Sequence, residues 1–184
     1  MTVFSLIRSD YIKYRRYGSG FLATIFLTQG FWASFQYRIA HLVYVNIRNK
    51  RIRKIVMIPF YVWQKLIEIV TGISIPAAAT IGHSFYIGHF SGIIINSNAI
   101  LGSNCNISQG VTIAVSGIGE RRGVPKIGNN VYIGAGAVVA GEISVGDNVV
   151  IGACSLVNRD LPENAVALGV PAQIVSNKGS EGYI

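Results

Sequence analysis

The chain of 184 residues contains few of the side chains from which metal sites are built, with three histidines and two cysteines. A zinc site of the three-histidine kind needs all three rings around one ion. His41 lies in an apolar helical segment, and His83 and His89 are six residues apart in another part of the chain, so we expect no metal. Cys105 and Cys154 are expected to be small reduced residues, which agrees with a cytoplasmic protein.

The chain also has little that suggests membrane insertion or secretion. Residues 17–37 carry no charge, but their glycine, serine, threonine and glutamine content makes them a poor membrane span. The first eight residues lack the basic-then-apolar layout of a secretory signal. We therefore expect no transmembrane helix.

Acidic residues are scarce in the first seventy residues, which contain eleven Lys and Arg but only Asp10 and Glu68, a net charge of +9. Residues 71–184 have a net charge of −1, and fourteen of the nineteen aromatic residues precede them. Apolar residues between positions 31 and 70 recur at three- and four-residue spacings, which favours helices. The contrast predicts a basic, aromatic-rich α-helical domain over 1–70 and a second domain over 71–184.

Two basic clusters in the helical domain suit contact with an anionic surface. They are Lys13, Arg15 and Arg16, and Arg48, Lys50, Arg51, Arg53 and Lys54. Because aromatic residues are interleaved with them and nothing resembles a nucleic-acid-binding fold, we expect no nucleic acid and favour peripheral contact with the inner face of a membrane. The alternative is a solvated helix face whose basic stems cover apolar surface.

In the second domain an aliphatic residue recurs at every sixth position, and glycine often follows it. The positions are Ile75, Ile81, Ile87, Ile93, then Ile95, Leu101, Ile107, Ile113, and then Ile127, Ile133, Val139, Val145, Ile151 and Val157. A helix of 3.6 residues per turn cannot keep a period of six on one face, whereas short strands joined by tight turns can. The repeat therefore predicts a mainly β fold, a parallel β-helix whose triangular coils of about 18 residues stack their aliphatic side chains inside.

One long interruption, loop 114–126, adds eight residues between Ile113 and Ile127. An insertion in a solenoid projects from one face, and that face often binds the ligand. The alternative is a solvated turn that carries charged residues. A C-terminal tail follows the last coil.

His89 is the candidate general base, because Ser91 and Gly92 leave little bulk beside its ring. An imidazole can take a proton from an attacking hydroxyl at neutral pH and return it to a leaving thiolate. The alternative is a histidine that is only hydrogen-bonded in a turn. His41 is expected to be packed and hydrogen-bonded in its helix.

The segments FWASFQYRIAHLVY, HFSGIIIN, SNCNISQGVTI, VPKIG, YIGAGAVVAG and GVPAQIV resemble the serine O-acetyltransferase-like branch of the hexapeptide acyltransferases. The resemblance implies a left-handed β-helix and a homotrimer with acetyl-CoA sites between subunits. It leaves open a dimer of trimers joined through the N-terminal domain. It also implies that His89 deprotonates the acceptor hydroxyl, which attacks the acetyl thioester directly.

The same resemblance implies which residues bind acetyl-CoA. Backbone N–H groups of small residues would hold its pantetheine arm, and two basic residues would meet its phosphates. The former are Ser116, Gly117, Ala135 and Ala153, and the latter are Lys126 and Arg159.

Departures from the family pattern decide the expected acceptor. Serine acetyltransferases carry aspartates at the positions of Ser74 and Gly88 and a histidine at that of Val124. The pattern here is similar to members from capsule, exopolysaccharide and lipopolysaccharide synthesis, so the first hypothesis is an acetyl-CoA-dependent O-acetyltransferase that acts on a sugar or glycan.

Two alternatives stay open. The first is a serine O-acetyltransferase of cysteine biosynthesis, in which Glu120, Arg121 or Arg122 would replace the missing recognition groups, with Ser74 at the acceptor site. The second is a trimeric scaffold without activity.

Overall fold

The protein, described over residues 1–119 and 122–184 of a computed structural model, begins with five helices. They are α1 Val3–Arg16, α2 Phe21–Leu27, α3 Gln29–Asn46, α4 Lys50–Val56 and α5 Ile58–Thr71. The side chain of Thr2 caps α1 and that of Asn49 caps α4, each by accepting backbone N–H groups of the first turn. α5 ends at Gly72, whose left-handed φ of 66° turns the chain towards the first strand.

Short strands follow the helices. They are β1 Ile73–Ser74, β2 Thr80–Ile81, β3 Tyr86–Ile87, β4 Ile93–Ile95, β5 Ile100–Leu101, β6 Asn106–Ile107, β7 Thr112–Ala114, β8 Lys126–Ile127, β9 Tyr132–Ile133, β10 Val138–Ala140, β11 Ser144–Val145, β12 Val150–Ile151, β13 Leu156–Val157, β14 Val166–Gly169 and β15 Ala172–Ser176. They form three sheets, which make the three faces of a coiled solenoid. The first sheet contains β1-β4-β7-β10-β13, the second β2-β5-β8-β11, and the third β3-β6-β9-β12-β14 with β15 antiparallel at its edge.

The pairing register explains the two irregularities of the repeat. In the third sheet Tyr86 pairs with Asn106, Asn106 with Tyr132, and Tyr132 with Val150, so the steps are 20, 26 and 18 residues. The step of 20 contains the slip, because β4 points both Ile93 and Ile95 inward. The step of 26 contains the eight-residue insert, which leaves the strands in phase.

All the aliphatic residues of the six-residue series are buried, as the sequence predicts. They form one core together with further buried columns, such as Phe85, Cys105 and Val131. Burial raises the pKa of the Cys105 thiol to about 11, so this cysteine is a protonated core residue. Cys154 is exposed instead, at a turn with φ of 55°.

The helices pack on the first coil through a buried ion pair. Arg38 Nε lies 2.8 Å from Asp10 Oδ2, and both side chains are almost fully buried. The Arg38 guanidinium also donates to the carbonyls of Ile81 and Gly82, and Asp10 accepts the N–H of Phe85. Helix and coil therefore share one polar network and one apolar core, which includes Ala33 and Tyr37 of α3.

An asparagine ladder runs along one corner of the coils. Asn104 donates to Asn130, Asn130 to Asn148 and Asn148 to Asn164, over 2.9 to 3.1 Å. Their φ values of 54° to 63° suit asparagine, which tolerates left-handed backbone. Lys13 of α1 donates to the first member at 2.6 Å.

The C-terminal tail runs back along this corner. Gly179 N donates to the Asn164 carbonyl, and the Ser180 hydroxyl donates to the Asn130 carbonyl. The carbonyl of Tyr183 then accepts from Asn106 Nδ2 at 3.1 Å. The tail thus brings Tyr183 beside the third sheet.

Within residues 1–119 and 122–184, no helix combines the length and the apolar character that a membrane span requires.

Candidate active site

His89 follows β3 and is exposed on the rim of a cleft of about 480 Å³. The cleft runs along the outside of the third sheet. Its other lining residues are Ser108, Gln109, Tyr132, Gly134, Ala135, Val150, Gly152, Ala153, Val166, Leu168 and Tyr183. No hydrogen bond joins the His89 ring to another described residue, so its ring nitrogens are accessible to a reactant.

Three predicted site residues lie in one column along this cleft. Because β3, β6, β9 and β12 pair in register, His89, Gln109, Ala135 and Ala153 occupy equivalent positions in successive coils. The amides of Ala135 and Ala153 donate to no other described residue, and both residues line the cleft. The column therefore offers a general base at one end and backbone donors further along.

Close stacking explains the glycine before each of these alanines. A Cβ on Gly134 would lie 2.6 Å from the amide nitrogen of Ala153, and one on Gly152 would collide with Leu168. Only glycine allows the coils to approach here, and small residues after it keep the backbone accessible from the cleft.

Aromatic residues form a wall that the sequence analysis did not identify. Tyr132 stands in β9, and its ring centroid is 5.1 Å from that of Tyr183 in the tail. The Tyr132 hydroxyl lies 3.4 Å from the Ser108 hydroxyl. Extending the register from His89 would have found Ser108 and Gln109, but Tyr183 depends on the fold of the tail, for which the repeat gives no signal.

The remaining predicted acetyl-CoA residues lie elsewhere on the chain. Ser116 and Gly117 follow β7 of the first sheet, Arg159 follows β13 of the same sheet, and Lys126 is exposed on β8 of the second sheet. None of these four lines the His89 cleft. The single chain therefore forms two groups of predicted residues on different faces.

Loop 114–126 is a small hairpin where it is described. Ser116 and Gly123 exchange backbone hydrogen bonds of 3.0 and 3.1 Å. The Ser116 amide is therefore paired within the chain, contrary to the expectation that it is free to bind acetyl-CoA. Arg122 is exposed, and the predicted residues Glu120 and Arg121 lie outside the described residues.

Ser74, a predicted acceptor residue, holds a carboxylate from α5. Its hydroxyl donates to Glu68 Oε1 at 2.7 Å, and Gln64 and Lys65 also donate to this carboxylate. Burial opposes ionisation, but the hydrogen bonds from Lys65, Ser74 and Gln64 lower the pKa of Glu68. Glu68 is therefore an anion at neutral pH at the junction between α5 and β1.

This junction adjoins the loop that follows His89. Ser91 N donates to the carbonyl of Thr71 at 2.9 Å, and a Cβ on Gly72 would lie 3.0 Å from Ser91 Cα. β1 also pairs with β4, which begins four residues after His89. The end of α5 is therefore joined to the loop after His89, although neither Glu68 nor Ser74 lines the His89 cleft.

The other histidines have structural partners. His41 Nδ1 lies 2.8 Å from the carbonyl of Ala77, so it is packed and hydrogen-bonded as expected. His83 Nδ1 lies 3.1 Å from the Ser84 hydroxyl, and it follows a strand of a different sheet from the one before His89. The described residues contain no cluster of three or more His, Cys, Asp or Glu that could hold a metal ion.

The chain is similar to bacterial transferases with hexapeptide repeats. A family profile described as Bacterial transferase hexapeptide (six repeats) matches residues 125–159. A serine acetyltransferase of Synechococcus elongatus is 35% identical over 150 residues, which are 82% of this chain and 58% of that protein. The chain thus spans less than two thirds of that relative.

Further relatives are covered more fully. A serine acetyltransferase of Bacillus subtilis is 34% identical over 165 residues, which are 88% of this chain and 70% of that protein. The crystal structure of serine acetyltransferase in complex with coenzyme A from Brucella abortus superposes with a TM-score of 0.81 at 32% identity. The superposition covers 95% of this chain and 68% of that chain.

These similarities confirm the fold and correct the acceptor. The predicted left-handed parallel β-helix with an N-terminal helical region is confirmed. The prediction of a sugar or glycan O-acetyltransferase is wrong, because the relatives are serine acetyltransferases, the stated alternative. The prediction rested on the missing carboxylates at positions 74 and 88, where this chain has Ser74 and Gly88.

Proposed function

We propose that this chain, which belongs to the hexapeptide-repeat acyltransferase family, transfers an acetyl group from acetyl-CoA to the hydroxyl of L-serine. The observation that carries the proposal is the accessible His89 at the end of a column with the Ala135 and Ala153 amides. The similarity to serine acetyltransferases, one of them in complex with coenzyme A, supports both substrates.

His89 acts as the general base in a direct transfer. One ring nitrogen takes the proton from the serine hydroxyl while its oxygen attacks the acetyl carbonyl carbon. The tetrahedral intermediate then collapses, the carbon–sulfur bond breaks, and the imidazolium returns the proton to the leaving thiolate. No acyl-enzyme forms, so no nucleophilic side chain is required.

The dimensions of the column support a position for acetyl-CoA along it. Equivalent residues in successive coils are about 4.8 Å apart, so the step from His89 to Ala153 is about 14 Å, a length that suits an extended pantetheine arm. The amides of Ala135 and Ala153 donate to this arm. Tyr132 and Tyr183 cover it from the side.

The charges of serine need partners as well. We assign the serine ammonium to the Glu68 carboxylate, which Ser74 holds at the junction of α5 and β1, and the bond from Ser91 N to the Thr71 carbonyl near this junction supports the assignment. For the serine carboxylate we propose Arg122, which is exposed in the hairpin loop beside Gly123.

A homotrimer would combine the two groups of predicted residues. Within one chain, His89 and the alanine column lie on the third sheet, whereas Gly117, Lys126 and Arg159 lie on the first and second. In a trimer with sites between subunits, the latter residues of one copy would meet acetyl-CoA bound in the His89 cleft of its neighbour. The division into domains at residue 70 and a dimer of trimers stay predictions.

Thiol release from acetyl-CoA, measured with L-serine as the acceptor, tests the function. We expect His89→Ala to lower the rate at least about 100-fold with little change in coenzyme A affinity. We expect Glu68→Gln to raise the KM for serine and to leave the KM for acetyl-CoA unchanged. Absence of turnover with serine would contradict the proposal, and coenzyme A binding without turnover would favour the scaffold alternative.

A further inference from the structure

The outer face of α4 and α5 carries a row of exposed aliphatic side chains, here called the outer stripe. Its members are Ile55, Ile58, Val62, Leu66 and Ile69, which are between 57% and 79% exposed. Their spacings of three and four residues place them on one side of a helix. No residue of α4 is buried, and Thr71 is the buried residue of α5, so this face has no partner within the described chain.

The two helices form a nearly continuous element. Met57, between them, has α-helical φ and ψ, and its N–H donates to the Arg53 carbonyl while its own carbonyl accepts the Tyr61 N–H. An element of this length, from Lys50 to Thr71, extends about 33 Å. The outer stripe therefore presents a long apolar surface rather than scattered contacts.

Basic side chains flank the start of the stripe. Lys50, Arg51 and Lys54 are exposed on α4, and no described carboxylate lies within ion-pair distance of them. The acidic residues of the helical region are both engaged elsewhere, since Asp10 is buried against Arg38 and Glu68 binds Lys65 and Ser74. This basic group is therefore free to bind an anionic partner.

We propose that the outer stripe and the basic start of α4 dock on an anionic lipid surface. The aliphatic side chains enter the boundary between headgroups and acyl chains, and Lys50, Arg51 and Lys54 meet the lipid phosphates. A second copy of the chain fits less well. Its stripe could pack on this one, but its helical region would offer further cations and no free carboxylate.

The structure also selects between the two basic clusters of the sequence. Lys13 of the first cluster is buried and donates to Asn104, and Arg15 donates to the Ser19 carbonyl. That cluster is therefore partly engaged by the protein itself. The second cluster, which lies beside the stripe, is the one that contacts lipid.

Vesicle flotation of the full chain tests the proposal. We expect binding to vesicles of phosphatidylcholine mixed equally with phosphatidylglycerol, weak binding to phosphatidylcholine alone, and release by salt. Replacing Lys50, Arg51 and Lys54 together by Gln should weaken binding about 100-fold. Val62→Ser with Leu66→Ser should weaken it about tenfold or more even at low salt.

Control variants lie in β15 and in the C-terminal tail. Lys178→Gln removes an exposed charge and Val175→Ser an exposed aliphatic group, and both should bind vesicles as the unmodified chain does. Equal binding to neutral and anionic vesicles, or full binding by the triple Gln variant, would overturn the proposal. If the unmodified chain does not bind vesicles, and the variant with Val62→Ser and Leu66→Ser sediments as a smaller species than the unmodified chain, the stripe is an interface with a second copy instead. Flotation does not depend on turnover, so its result is independent of the serine acetyltransferase proposal.

Discussion

The aliphatic side chains at the six-residue positions of the coils are buried, whereas those of the outer stripe on α4 and α5 are more than half exposed. Both regions are rich in isoleucine and valine, so composition does not distinguish them. The difference arises from pairing, because each coil covers the aliphatic column of its neighbour, while α5 packs on α3 with one face only. An apolar sequence pattern therefore predicts which residues share a face, and it does not predict whether that face is covered.

The junction between the two regions is expected to be the most sensitive point. Arg38→Ala leaves Asp10 buried without its partner, so the free energy of unfolding should fall by about 3–5 kcal/mol. Urea unfolding followed by circular dichroism measures it. Arg48→Ala, at an exposed site, is the control and should change stability by less than about 0.5 kcal/mol. Equal effects of the two variants would show that the buried pair does not connect the regions.

The same substitution in each region tests the comparison itself. Ile133 is fully buried in the third sheet and Ile69 is 79% exposed on the outer stripe. Ile133→Ala should lower the free energy of unfolding by about 2–5 kcal/mol. Ile69→Ala should change it by less than about 0.5 kcal/mol. A large loss for Ile69→Ala would mean that the stripe is covered in solution.

The asparagine ladder stabilises the coils through polar contacts rather than apolar ones. Asn148→Ala removes hydrogen bonds to Asn130 and Asn164 and puts alanine at a left-handed φ of 57°. We expect a loss of about 2 kcal/mol in the free energy of unfolding. Asn148→Gly removes the same hydrogen bonds without the backbone penalty, so its free energy of unfolding should fall by less. Equal losses of stability in the two variants would show that backbone strain does not contribute to the destabilisation by Asn148→Ala.

The smallest predicted effect is a pH dependence of the folding stability that arises from Lys13. Burial lowers the pKa of Lys13 from 10.5 to about 8. Above pH 8 the folded chain has released a proton that the unfolded chain keeps, so this residue makes stability rise with pH. Relative to Lys13→Met, the unmodified chain should gain about 1 kcal/mol between pH 8 and 9. Parallel pH profiles of the two proteins would contradict a buried, titrating lysine.

Much of the β-helix could be predicted from the sequence. The recurrence of Ile107, Ile133 and Ile151 fixes which residues point inward, and counting eight extra residues before Ile127 gives the register across the insert. The same counting places Ala135 and Ala153 in line with His89, so half of the candidate site is a consequence of the period. Helices were expected between positions 31 and 70 for the same reason, since their apolar spacing is local.

Contacts between distant segments could not be predicted in this way. The tail brings Tyr183 to the His89 cleft through hydrogen bonds whose acceptors are backbone carbonyls, and the donors Ser180 and Asn106 follow no sequence spacing that marks them as partners. Glu68 reaches Ser74 only because α5 ends beside β1. The acceptor prediction searched for carboxylates at fixed spacings from His89, and a contact such as that of Glu68 with Ser74 lies outside such a search.

The register of the coils has a consequence for how this chain tolerates changes in length. The insert before Ile127 adds residues outside the stack, and the strands on both sides still pair in phase. Residues can therefore be added to the hairpin beyond the Ser116–Gly123 pair without altering an inward position of the coils. Removing one residue inside a strand acts differently: the side chains of that strand on one side of the deletion exchange faces, so its aliphatic residue points outward and a polar neighbour points into the core, until the next turn absorbs the change.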